Sequence, residues 1–82
     1  MNILVRNLPR HLDEHDLQDL FEPFGTISEV NIVMDQRTGE SKGFGFVNMP
    51  IANEGKAAIK ALNNRDIEGE RIRVKVSKAI RK

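Results

Sequence analysis

Residues 42–49 read Lys-Gly-Phe-Gly-Phe-Val-Asn-Met. In an extended chain, side chains alternate between two faces. Lys42, Phe44, Phe46 and Asn48 then share one face, and Gly43, Gly45, Val47 and Met49 share the other. Two flat rings beside a cation and an amide can stack nucleic-acid bases, at roughly 1–3 kcal/mol per stack, while the cation meets phosphate. The competing reading places both rings in the core, where a single Phe is most often found. The composition of the octet argues against it. Small glycines fit beneath a helix, Val47 and Met49 continue that apolar face, and a lysine stands beside the rings. Paired aromatics on a solvated face form a patch that signals a partner.

Such a face requires a sheet covered on one side only, and the periodicity of the chain supplies one. Residues 3–5 form a short apolar run that ends in Asn7-Leu8-Pro9, a strand and a turn. Leu17, Leu20, Phe21 and Phe24 fall on one face of a helix. Asp13 is placed to cap it, Asp16 suits its first turn, and Pro23 and Gly25 stop it. Residues 27–34 alternate, with Val30, Ile32 and Met34 opposite Asn31 and Val33. A loop at 35–39 leads into the octet strand. Gly55, Ala58, Ile59 and Leu62 mark a second helix, with Gly55 locally unfavourable by roughly 1 kcal/mol against Ala. Asn63-Asn64-Arg65-Asp66 breaks it, and residues 71–77 alternate as a last strand.

The predicted fold is α+β: a ferredoxin-like βαββαβ sandwich, with a four-stranded antiparallel sheet and two helices on one face. The apolar sides of the strands face the helices. The open face then gathers Leu4 and Arg6, Asn31 and Val33, the Phe44 and Phe46 pair with Lys42 and Asn48, and Arg73 and Lys75.

Eighty-two residues suffice for one domain. Without cysteine, neither disulfides nor thiolate metal sites contribute. No apolar run approaches the ~20 residues of a membrane span, and no secretory leader is expected. The expectation is a cytoplasmic protein that does not engage a membrane and is monomeric. Net charge is only +1, but its distribution is uneven: residues 12–24 hold five acids and no Lys or Arg, while residues 71–82 hold six bases and no acid. A basic stripe is an electrostatic footprint for phosphates.

The octet matches seven of the eight positions in the signature of RNA-recognition motifs. Ile3-Leu4-Val5-Arg6-Asn7-Leu8 resembles that family's shorter first-strand signature. The resemblance continues through Leu17-Gln18-Asp19-Leu20-Phe21, Phe24-Gly25, Thr38-Gly39, Ala58-Ile59, Leu62-Asn63 and Ile72-Arg73-Val74. It implies a domain over residues 1–77 with a basic tail at 78–82, and single-stranded RNA as partner. It further implies that Phe46 is a base-stacking ring, that Phe44 packs against sugars between two nucleotides and that Lys42 meets a phosphate. Asn31, Arg73 and Lys75 occupy positions that commonly touch RNA. Two positions depart from the family pattern. Leu4 replaces a usual aromatic, which removes one stacking platform. Met49 replaces another, but on the core side, where Met is an adaptable filler. Asn64 stands where glycine is common and tolerates the left-handed conformation.

Rival functions find less support. Gly43-Phe44-Gly45 lacks the third glycine of a dinucleotide loop, and neither a phosphate-binding loop nor a Gly-x-Ser-x-Gly elbow is present. No enzymatic activity, cofactor or metal is expected. His11 and His15 lie four apart, but an N-cap at Asp13 leaves His11 outside the helix. A protein-docking role for Leu4, Val33, Phe44 and Phe46, or single-stranded DNA binding through the same face, are the alternatives.

Overall fold

The computed structural model describes residues 1–39 and 41–77, with side chains for all of these except 41 and 42. The chain folds as β1 (Asn2–Arg6), α1 (Glu14–Phe21), a single 3-10 turn (Glu22–Phe24), β2 (Glu29–Met34), β3 (Ser41–Asn48), α2 (Ala52–Leu62), β4 (Asp66–Ile67), β5 (Glu70–Arg71) and β6 (Arg73–Val76). Four strands form one antiparallel sheet in the order β2-β3-β1-β6. The octet strand β3 and the first strand β1 are therefore central, which is where a binding face needs its main platforms.

Local chemistry sets the ends of the helices. Asp13 caps α1: its carboxylate accepts from the Asp16 N–H at 2.9 Å, and the Asp16 carboxylate accepts from the Asp13 N–H at 3.2 Å. This reciprocal pair satisfies two donors that the first turn leaves free. Leu17 and Phe21 are fully buried, and Leu20, Phe24 and Ile27 pack around them. Pro23 enters the 3-10 turn, and the Gly25 N–H closes it onto the Glu22 carbonyl. Gly55 has a packing role that its low helix propensity conceals. A Cβ there would lie 2.6 Å from the Met1 sulfur and 3.6 Å from Ile3 Cδ1. Its bare backbone lets α2 settle directly onto β1.

Beneath the helices, Ile3, Val5, Ile32, Val47, Met49, Ile72 and Val74 meet Leu17, Phe21, Ala58 and Leu62 in one core. Met49 is fully buried, as expected of a core filler.

Three expectations are corrected. The last strand does not run over 71–77. Glu70–Arg71 pairs instead with Asp66–Ile67 in a separate hairpin, and β6 begins at Arg73. Glu68 and Gly69 both have positive φ, 52° and 88°, the mirror-image turn that tight hairpins favour. Met34 does not continue the buried face of β2 and is 51% exposed. The β2–β3 register runs Ile32↔Gly45 but then Met34↔Ser41, so three residues of β3 oppose one of β2. This bulge breaks the alternation.

The glycines of β3 do not make room for a helix. Gly43 has φ +87°, a conformation costly to any residue with a Cβ, and lies beside the Leu8 carbonyl, which a Cβ would approach to 3.5 Å. A Cβ on Gly45 would strike the Asn31 carbonyl of the neighbouring strand. Both glycines serve the bulge and its close strand contacts.

Candidate nucleic-acid interface

The register arranges the open face in rows that cross the sheet. Asn31 lies opposite Phe46, Phe46 opposite Leu4, and Leu4 opposite Lys75. In the next row Phe44 lies opposite Arg6, and Arg6 opposite Arg73. A third row holds Glu29, Asn48 and Asn2. Eight of the nine site residues expected from the sequence thus lie together on one surface. The ninth is Lys42; its backbone lies in β3, and its side chain falls outside the described residues. The tail at 78–82 also lies outside them.

Phe44 and Phe46 are half-buried although no helix among the described residues covers them. Their ring centroids stand 6.5 Å apart with planes inclined at 76°. This edge-to-face contact holds each ring in place and is worth about 0.5–1.5 kcal/mol beyond area burial. Leu4 and Asn48 are also half-buried, while Arg6, Asn31, Arg73 and Lys75 are exposed.

Charge is graded across the face. The β2 side carries Glu29, Asn31 and Val33 and no cation. The β1–β6 side carries Arg6, Arg73 and Lys75, with Arg6 directly opposite Arg73. Like charges facing each other across strands are destabilising. Among the described residues no carboxylate forms an ion pair with any of these three cations. An anion laid along that side would relieve the repulsion.

At the opposite corner, Asn48 is fixed by neighbours. Its amide nitrogen donates to Asn2 Oδ1 at 2.5 Å, and its side-chain oxygen accepts from Ser28 Oγ at 3.0 Å. Asn2 and Glu29 were missed as members of the face, although each shares parity with a residue already placed there: Asn2 with Leu4, Glu29 with Asn31. The two-residue period alone locates them.

The histidines do not converge. His11 Nε2 lies 2.6 Å from the Glu68 carboxylate, and His15 Nε2 lies 3.7 Å from that of Asp19. No helix among the described residues is long and apolar enough to cross a membrane.

Comparison with known proteins identifies the family. A protein-family profile described as RNA recognition motif matches residues 3–73. The chain is 43% identical over 75 residues to the RNA-binding protein CP31B, chloroplastic, of Arabidopsis thaliana, covering 92% of this chain and 26% of that protein. The chain thus spans about a quarter of the length of the curated relatives it matches first. Among solved structures, the RNA binding protein PG1 superposes with a TM-score of 0.94 at 34% identity, covering 100% of this chain and 99% of the other. The Sxl-lethal protein/RNA complex superposes with a TM-score of 0.90 at 31% identity, covering 95% of this chain and 47% of that one. With the family profile spanning residues 3–73, and with its octet on a central strand of the four-stranded sheet, the chain belongs to the RNA recognition motif family.

Proposed function

We propose that this chain binds single-stranded RNA on its open sheet face. One observation carries the reading: two half-exposed rings on the central strand lie beside cations that have no carboxylate partner among the described residues. Bases stack on Phe46, and sugars pack against Phe44. Arg6, Arg73 and Lys75 meet phosphates, Asn31 presents its amide to base edges, and Asn48, held by Asn2 and Ser28, offers its remaining amide N–H. Leu4 offers an apolar contact in place of a third ring. The likeness to a protein solved in complex with RNA supports the choice of nucleic acid. The activity proposed is binding: the described residues of the face supply stacking rings, amides and cations for a nucleic-acid strand.

The test is fluorescence anisotropy of a labelled random-sequence single-stranded RNA, with native protein beside Phe46→Ala at two salt concentrations. Binding is expected to weaken with salt by about 0.7 in the log–log slope per phosphate contact. Phe46→Ala is expected to weaken it by roughly 1–3 kcal/mol, the worth of a stack. Competition by single-stranded DNA reads whether the 2′-hydroxyl is recognised. Absence of binding by folded protein, or salt-independent binding, would overturn the reading and point to a protein partner on the apolar rings.

A further inference from the structure

A groove of about 590 Å³ opens beside the β6 side of the sheet, and Arg6, Arg73 and Lys75 line it together with Asn7, Asn63 and Arg71. The first three cations belong to the open face, so the groove is continuous with it. Arg71 does not belong to the sheet. It sits in the small hairpin, just before β6.

The groove is braced on both sides. Asn7 Nδ2 donates to the Arg71 carbonyl at 2.8 Å, which ties the hairpin to the end of β1. Asn63 Oδ1 accepts from the Val74 N–H at 3.0 Å. That bond satisfies an outward-facing donor of the edge strand and leaves the Asn63 amide N–H groups for a ligand. Among the described residues no acid lines the groove, and no carboxylate pairs with Arg71 either. Four cations with amide donors and no acid around one concave surface suit a phosphate.

We propose that this groove seats the backbone phosphate of a nucleotide beyond those stacked on Phe44 and Phe46, so that the bound strand leaves the sheet past Arg71. The proposal rests on the RNA-binding reading and extends it, because it sets the direction of departure and lengthens the bound segment. Arg71 acts as a phosphate contact without base selectivity. It therefore matters only for strands long enough to reach it.

The experiment compares a dinucleotide with a hexanucleotide of random sequence, each titrated against native protein, Arg71→Gln and Phe46→Ala. Native protein is expected to gain affinity on lengthening. Arg71→Gln should shrink that gain roughly two- to fivefold, as for an exposed charge contact. It should also lower the hexanucleotide salt slope by about 0.7. Arg71 is exposed, so thermal melting should coincide with native. A full gain retained by Arg71→Gln overturns the proposal, as does an equal loss for both lengths. Phe46→Ala separates this failure from that of the underlying reading: if it weakens neither RNA, the sheet itself is not the site.

Discussion

Leu4→Tyr should turn a weak apolar contact into a stacking platform. Leu4 lies on the open face of a central strand, opposite Phe46 on one side and Lys75 on the other. It is absent from the buried core, so the substitution should not lower stability by more than about 0.5 kcal/mol. A new stack has a ceiling of roughly 1–3 kcal/mol. Part of that is spent before RNA arrives. Directly opposed side chains have Cβ atoms about 4.5–5.5 Å apart, so the tyrosine would also lean on Phe46 in the free protein, an interaction worth up to about 1 kcal/mol. The net gain is then about 1 kcal/mol, or roughly fivefold tighter binding, drawn from the lower end of the stacking range. Anisotropy titrations of native protein, Leu4→Tyr and Leu4→Ala measure it, with thermal melts to confirm folding. Unchanged or weaker affinity in folded Leu4→Tyr would refute the idea that this face lacks a platform at residue 4.

Two further outcomes test the frame that holds the face. Gly43→Ala places a Cβ at φ +87° beside the Leu8 carbonyl, and should cost about 1 kcal/mol or more, a Tm fall of at least about 4 °C; an unchanged melt would contradict the role assigned to the bulge. Asp13→Ala removes the α1 cap and should lower the melting temperature at neutral pH. The Asp16 backbone N–H holds the Asp13 carboxyl below its ordinary value of 3.8, so the folded state binds this proton less readily than the unfolded state. The resulting stability is present above that ordinary value and is lost as pH falls through the lower folded one. Asp13→Asn keeps a capping oxygen and should flatten this acid-side loss; denaturant melts across that range would show no difference if the carboxylate does not matter.

The open face was legible because a strand period of two sorts residues by parity. Phe44 and Phe46 could be set against Gly43, Gly45, Val47 and Met49 without any knowledge of contacts. The α1 cap was legible because Asp13 precedes an apolar helical stripe. Parity failed where the backbone changed its count. At Gly43 the bulge adds residues to β3, and Met34 turns outward against its alternation with Val30 and Ile32. The hairpin at 66–71 escaped notice because each strand is two residues long, too short for periodicity, and its signal is Glu68-Gly69, in place of the common Asn-Gly or Asp-Gly. The groove at Arg71 depended on that hairpin and was invisible for the same reason. Gly55 looked like a flaw in a helix because propensity is local, whereas its use lies in a contact with residues more than fifty positions earlier.

The most direct test is heteronuclear magnetic resonance of the isotopically labelled protein during titration with single-stranded RNA. The signals of Leu4, Arg6, Phe44, Phe46 and Lys75 are expected to shift together, with the two phenylalanine rings moving upfield as bases stack on them. Signals from the solvent faces of the helices, such as Asp19 and Lys60, should stay in place. Shifts concentrated on the helices, with both rings unmoved, would contradict the account and place the binding surface on the other side of the molecule.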